Sequence, residues 1–190
     1  MTLAVAVVMM ITLNIGVISE ISCKICLYSL VSTSAYTAEK LYSLMPEPYD
    51  SFPDNRTSPA MPMVEIDGRN YIGILEIPAY GTSLPIGSQW DSGTVSEYPC
   101  RYLGSTYDSS LIIGGSDNKG QLDFVKKISN EDLITVTDTT GQRFTYKVTD
   151  IRRTKDVSTE NLTSKEADLV LFARNTYSLD YTVIRCTLDK

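Results

Sequence analysis

The chain has 190 residues, of which 43% are apolar and 21% are charged, and its formal net charge at pH 7 is −6. These proportions exclude a wholly disordered or collagen-like chain, and the negative charge argues against a nucleic-acid partner, because that affinity comes mainly from Lys and Arg neutralising phosphates. The sequence contains no histidine, so no imidazole of this chain can act as a general base or a metal ligand. Acidic residues such as Glu97, Asp108 and Asp117 show no spacing typical of a calcium loop, and we expect no metal and no cofactor.

The N-terminal segment predicts a membrane anchor. Residues 2–19 form an uncharged run, and the first charged side chains are Glu20 and Lys24. A helix needs about 20 apolar residues to cross the hydrocarbon core, and the partly apolar segment that follows extends this run, so we assign residues 1–31 to one membrane-spanning helix. A cleaved signal peptide is the alternative, although no basic region precedes the apolar run. For the same reason the positive-inside rule does not set the orientation of the helix.

Residues 32–62 predict an extended tether between the anchor and a folded domain. Five of the eight prolines of the chain lie in LMPEPYDSFPDNRTSPAMP, residues 44–62. Proline blocks both helix propagation and strand pairing in a sheet interior, and proline-rich linkers are extended. The folded domain is therefore assigned to residues 63–190.

The domain itself reads mainly as β-strands. Residues 143–150 alternate cleanly, with Phe144, Tyr146 and Val148 on one face, and Gly141 suits the turn of a hairpin with residues 133–138. The other predicted strands are 71–77, 81–87, 110–115, 168–173 and 181–188. Helical signals are confined to GQLDFVKKI (120–128) and to the capping-box pattern TSKE (163–166). About eight short strands with one or two short helices predict a closed barrel, which leaves no exposed edges.

Four segments, taken in order, resemble a known family. An opening pair of strands is similar to NYIGILEIPAYGTSLPIG (70–87), and a unit of strand, short helix and hairpin is similar to LIIGGSDNKGQLDFVKKISNEDLITVTDTTGQRFTYKV (111–148). The catalytic strand is similar to LVLFARN (169–175), and the strand after it is similar to YTVIRC (181–186). The family is the sortases, membrane-anchored cysteine transpeptidases of Gram-positive bacteria. The resemblance implies a sortase-like closed β-barrel on the extracytoplasmic face of the cell membrane, held there by the N-terminal helix.

The resemblance also assigns the catalytic positions. Ser116 stands where the family has its histidine, Arg174 where it has its cysteine nucleophile, and Tyr181 where it has its arginine. A sortase needs a thiolate to attack the carbonyl, a proton donor for the leaving amine and a cation near the oxyanion. A hydroxyl is no general acid near pH 7, and an arginine is permanently protonated and cannot attack a carbonyl. The resemblance therefore implies an inactive member of the fold, a pseudoenzyme with no catalytic residues.

Three hypotheses for the function follow. The first is a binding protein that holds a sorting-signal peptide, a pilin or an active sortase in the inherited groove, with Ser116, Asp117, Phe172, Arg174 and Tyr181 as groove candidates. The second is a functioning sortase with non-standard catalytic residues or residues supplied by a partner. The third is a structural envelope protein with a vestigial groove.

Arg174 has two interpretations. It continues the strand face of Val170 and Phe172, so it projects where the nucleophile would lie. Beside an aromatic ring and near Tyr181, its guanidinium could bind a carboxylate or a peptide carbonyl. Alternatively it fills an empty groove and reaches water, paired with a carboxylate such as that of Asp117 or Asp180.

Cys100 and Cys186 are candidates for a disulfide if the domain lies outside the cell. Cys186 shares a strand face with Ile184 and Leu188, which predicts a core position, whereas Cys100 precedes a loop-like segment. A bond requires the two Cα atoms to lie within about 7 Å of each other. Neither cysteine has a histidine in this chain to activate it as a displaced nucleophile.

Overall fold

The structure is a computed structural model that describes residues 33–50, 60–91, 95, 97–163 and 166–189. The predicted membrane anchor, residues 1–31, lies outside the described residues. Among those residues, no helix has the length and apolarity required to span a bilayer.

The described residues contain ten strands in one sheet, two α-helices and two short 3₁₀ turns. The strands are β1 (Tyr49–Asp50), β2 (Val64–Ile66), β3 (Arg69–Ile77), β4 (Thr82–Gly87), β5 (Cys100–Leu103), β6 (Leu111–Ser116), β7 (Leu133–Asp138), β8 (Gln142–Thr154), β9 (Leu169–Arg174) and β10 (Tyr181–Leu188). The helices are α1 (33–44) and α2 (Thr159–Leu162), and the 3₁₀ turns are η1 (Pro78–Tyr80) and η2 (Asp123–Lys126).

Eight of the strands close into a barrel. Neighbouring strands follow the order β3–β4–β5–β6–β9–β10–β8. β7 pairs with both β3 and β8, which closes the barrel. β1 and β2 add short pairs at the ends of this order. The β7–β8 hairpin turns at Gly141, whose φ of +83° is the left-handed conformation that glycine adopts without strain. The predicted mainly β, closed barrel of about eight strands is therefore confirmed.

The barrel interior holds the main hydrophobic core. The alternation predicted for β8 is correct, since Phe144, Tyr146 and Val148 are all fully buried in this core. On β9 the alternate residues Leu169, Leu171 and Ala173 face the same interior. Their neighbours on the strand therefore face outward, where they line the outer surface of the barrel wall.

Residues 33–44 correct the prediction of an extended tether. They form α1, and Leu41 is fully buried against Ile66 and Tyr71 on the outer face of the barrel. The prolines that suggested an extended chain begin only at Pro46, so nothing blocks a helix before it, and burial of its apolar face stabilises the helix. Met61, which lies near the end of the same predicted tether, is buried in the barrel core.

The other helical segments are shorter than the sequence predicted. Within residues 120–128 only η2 is regular, and it buries Phe124 and Val125. Helix α2 ends at Leu162, immediately before the capping-box pattern at 163–166. Residues 164 and 165 of that pattern lie outside the described residues.

Candidate functional site

The candidate site lies where β6 and β9 end and β10 begins. β6 and β9 are parallel, so their carboxyl ends lie at the same edge, and β10 runs antiparallel to β9 and starts there. Ser116 is the Cα partner of Arg174 across the β6–β9 pair. Arg174 is in turn the Cα partner of Tyr181 across the β9–β10 pair. The strand pairing therefore brings three residues that are distant in sequence into one row.

A pocket of about 520 Å³ opens over this row, and we call it the groove. It is lined by Trp90, Val95, Gly115, Ser116, Asn118, Arg174, Thr176 and Tyr181. Of the predicted groove residues, Ser116, Arg174 and Tyr181 line it directly. Phe172 is buried on the strand face that leads to Arg174, and Asp117 is buried and bonded to residues beside the groove.

Four aromatic rings, which we call the aromatic cluster, form one wall of the site. They are Trp90, Tyr102, Phe172 and Tyr181. The Trp90 ring lies 5.3 Å from Phe172 and 5.6 Å from Tyr102, centroid to centroid, and Phe172 lies 6.4 Å from Tyr181. Aromatic pairs at these separations contribute interaction energy beyond that gained from the apolar area that they bury. Trp90 remains 40% exposed, so the cluster offers an apolar surface to the groove.

Gly114 gives the aromatic cluster its space. A Cβ atom at this position would lie 2.3 Å from ring atoms of both Phe172 and Trp90. Any larger residue would push one of the two rings away from the strand. Gly114 therefore allows the Trp90 ring to pack directly over β6.

Trp90 and Tyr102 were not among the residues predicted from the sequence. They come from the segment after β4 and from β5, and the pairing of β6 with both β5 and β9 brings them close to β9. One signal was present in the sequence, because Trp90 is the only tryptophan of the chain and lies outside every predicted strand.

Arg174 is exposed and forms no ion pair with any carboxylate among the described residues. The pairing with Asp117 or Asp180 considered from the sequence is wrong. Asp180 instead accepts hydrogen bonds from Asn175 and Ser178.

Asp117 is bound to two other residues. One carboxylate oxygen accepts from the backbone N–H and the hydroxyl of Thr176 at 2.9 and 2.6 Å, and the other lies 3.1 Å from Lys126 Nζ. Burial opposes ionisation of this carboxyl, but the hydrogen bonds from Thr176 and Lys126 outweigh it and hold the pKa of Asp117 below its usual value. Asp117 therefore fastens the β9–β10 loop to η2 and leaves the cation of Arg174 uncompensated.

The groove offers donors rather than a nucleophile or a base. The Ser116 hydroxyl donates to Gln121 Oε1 at 2.9 Å, and Gln121 is buried. The Thr176 hydroxyl donates to Asp117 Oδ1 at 2.6 Å, and Asn118 Oδ1 lies 2.8 Å from the same hydroxyl oxygen. The described residues that line the groove include no carboxylate, thiol or imidazole. This arrangement can bind a polar ligand.

Cys100 and Cys186 are free thiols, so the disulfide considered from the sequence is not formed. Both are fully buried but on different faces of the barrel wall, since Cys100 packs with Tyr71 and Tyr98 outside it and Cys186 packs with Ile184 inside it. Burial raises the pKa of each thiol to about 12. Neither cysteine lines the groove.

A second cavity of about 590 Å³ lies between α1 and the barrel. Its charged groups are mutually compensated, because Arg69 pairs with Glu97 and Asp67 pairs with Lys40. The groove differs from this cavity in carrying an arginine that has no counter-charge among the described residues.

No protein-family model matches the sequence, and comparison with curated protein sequences finds no relative. Solved structures do match. Sortase A from Corynebacterium diphtheriae (a lid mutant) is similar over 64% of this chain and 72% of its own, with a TM-score of 0.56 and 19% identity. Sortase C1 from Streptococcus agalactiae is similar over 66% of this chain and 71% of its own, with a TM-score of 0.56 and 20% identity. Sortase C from Clostridium perfringens SM101 is similar over 63% of this chain and 70% of its own, with a TM-score of 0.53 and 16% identity.

This chain has the sortase fold. The fold-level resemblance read from the sequence is therefore confirmed. In this sortase-fold chain, the positions that the resemblance assigns to histidine, cysteine and arginine are Ser116, Arg174 and Tyr181. These are the same three residues that meet across β6, β9 and β10.

Proposed function

We propose that this sortase-fold protein binds a peptide in the groove and has no transpeptidase activity. One observation carries the proposal: the three cross-strand neighbours at the strand ends present a hydroxyl, a guanidinium and a phenol. Acyl transfer by a cysteine enzyme requires a thiolate next to a proton donor. Among the described residues that line the groove, no pair of side chains supplies these two groups.

The cysteines of the described residues do not replace the missing nucleophile. A thiol with a pKa of about 12 is almost entirely protonated at neutral pH, and only the thiolate attacks a carbonyl. Cys23 and Cys26 lie outside the described residues, in the segment that we assign to the membrane anchor.

The dimensions and lining of the groove support peptide binding. Its volume of about 520 Å³ falls in the range of small-ligand sites, about 300–1,000 Å³. The aromatic cluster gives an apolar wall, and Arg174 gives a charged hydrogen-bond donor. We propose as the occupant a sorting-signal peptide, either free or as part of a pilin, with an active sortase as the alternative partner. We further propose that residues 1–31 hold the barrel at the extracytoplasmic face of the cell membrane.

The absence of catalysis is tested with the full-length chain in detergent and a fluorogenic sorting-signal peptide. We expect no turnover above background and no covalent adduct by mass spectrometry. A thioester adduct, or turnover that is lost on substitution of Cys100 or Cys186, would overturn the proposal in favour of a functioning sortase.

Binding is tested separately with Arg174→Ala in pull-downs of sorting-signal peptides and pilins. Arg153→Ala is the matched control, because Arg153 is also exposed but does not line the groove. We expect only the Arg174 variant to lose capture. Equal capture by both variants would favour a structural protein with a vestigial groove.

A further inference from the structure

We propose that the groove recognises the free C-terminal carboxylate of a peptide and that Arg174 is the residue that binds it. This inference rests on the proposed peptide-binding function and makes its ligand specific. A peptide that continues past the groove, as an uncleaved signal within a protein does, would lack the recognised group.

The first argument is charge. The chain has 23 acidic and 17 basic residues, and six of its Lys and Arg side chains form ion pairs within the described residues. Arg174 forms none there, although Asp117 and Asp180 lie close by in the β6–η2 and β9–β10 connections. Their carboxylates are held by Thr176 and Asn175, respectively. A guanidinium left open at the floor of a groove favours an incoming carboxylate, which it can bind through two parallel hydrogen bonds.

The second argument is the set of unused hydrogen-bonding groups. Asn118 Oδ1 lies 2.8 Å from the Thr176 hydroxyl, and no hydrogen bond among the described residues uses the Asn118 amide N–H₂. Within the same residues, the Tyr181 hydroxyl has no hydrogen-bond partner. Arg174, Asn118 and Tyr181 all line the groove, and each carries a donor that can reach a ligand there. An ionised carboxylate accepts hydrogen bonds only, and it complements such a set.

The third argument is the position of the aromatic wall. Phe172 and Arg174 lie on one face of β9, two residues apart, which is a spacing of about 7 Å along a strand. In an extended peptide, the C-terminal carboxylate and the apolar side chains of the last two residues span a similar length. A terminal carboxylate at Arg174 therefore places an apolar side chain against Trp90, whose exposed ring packs over Phe172. We expect the preferred peptides to end in apolar residues.

The test uses the full-length chain in detergent, immobilised, and two equimolar pools of acetylated random hexapeptides. One pool ends in a free carboxylate and the other, isotopically labelled, ends in an amide. The ratio of retained acid to retained amide is measured by mass spectrometry. Both pools contain Asp and Glu, so the comparison also separates a terminal from a side-chain carboxylate. Occupancy by selected peptides is then followed through the fluorescence of Trp90, the only tryptophan of the chain.

We expect the acids to be retained at least about tenfold more than the amides, since a hydrogen bond to a charged group contributes about that factor or more. Arg174→Gln should abolish the difference, Arg174→Lys should keep part of it, and Arg153→Gln should leave it unchanged. Equal retention of acids and amides would overturn the carboxylate inference while leaving peptide binding intact. Retention of neither pool would overturn the inference and the proposed function together.

Discussion

Ser116 and Arg174 are direct partners on the parallel strands β6 and β9, and the pairing continues one residue further because the Asp117 N–H donates to the Arg174 carbonyl oxygen at 3.0 Å. The backbone thus fixes where both side chains project, whatever their chemistry. A sheet of this kind can keep its register while the groups at its edge change, since register is set by the buried faces of the strands. This separation between scaffold and edge is why a sortase fold can present a hydroxyl and a guanidinium here.

Asp117→Asn is expected to lower the free energy of unfolding by about 1–3 kcal/mol, because it weakens the hydrogen bonds that hold Thr176 and Lys126. The folded state lowers the pKa of this carboxyl. Its contribution is therefore complete above the unfolded value of about 3.9 and is lost as the pH falls through the folded pKa. Denaturant unfolding between pH 2 and 7 should show that the free energy of unfolding decreases less steeply with falling pH in the variant than in the original protein.

Asp67→Asn is the control for this experiment, because Asp67 pairs with Lys40 at the surface. Exposed pairs contribute about 0–1 kcal/mol. If Asp67→Asn lowered the free energy of unfolding as much as Asp117→Asn, the hydrogen bonds of Asp117 with Thr176 and Lys126 would have no special role in stability.

Gly114→Ala is expected to displace Trp90 or Phe172, since the added Cβ would meet both rings at 2.3 Å. Overpacking of this kind costs about 1–3 kcal/mol, and the emission maximum of Trp90 should shift as its surroundings change. Gly115→Ala serves as the comparison, because its Cβ faces Leu122 in the barrel interior at 3.2 Å. An unchanged emission spectrum in Gly114→Ala would contradict the packing of Trp90 over β6.

Cys100 and Cys186 are expected to resist iodoacetamide at pH 8 in the folded chain and to react rapidly once it is unfolded, as read by peptide mapping. Their thiols ionise at about pH 12 when folded and near 8.5 when unfolded. The stability that they contribute is thus present below about pH 8.5 and declines as the pH rises toward 12, by at most about 1.4 kcal/mol per pH unit for each thiol. Cys186→Ala should flatten this alkaline slope. Fast labelling of either native thiol would refute its burial.

Leu41→Ala is expected to destabilise the protein by about 2–4 kcal/mol, the usual cost of truncating a buried leucine. Leu41 is fully buried, whereas Leu44 in the same helix is 54% exposed, so Leu44→Ala is the matched control. Thermal unfolding of the two variants compares them directly. Equal stability would mean that α1 is not an integral part of the barrel domain.

The sequence by itself determined seven of the eight barrel strands and the inward face of β8, whereas β5 (Cys100–Leu103) was predicted to be a loop and is a strand. Alternation in β8 and the glycine of its hairpin are local properties, so Phe144, Tyr146 and Gly141 could be assigned without coordinates. The order of segments likewise led to the sortase fold, and it placed Ser116, Arg174 and Tyr181 in one site.

Only the tertiary structure decided what surrounds these residues. Trp90 and Tyr102 reach Phe172 through the β5–β6–β9 strand order, Asp117 pairs with Lys126 rather than Arg174, and α1 is helical because its apolar face is buried on the barrel. The contacts of Trp90 with Phe172 and of α1 with the barrel join segments that are far apart in the chain, and no local pattern encodes which distant surface a side chain will meet. The alternation of residues along a strand specifies which side chains face the core, whereas the pairing of the eight strands in the barrel specifies which residues lie next to them.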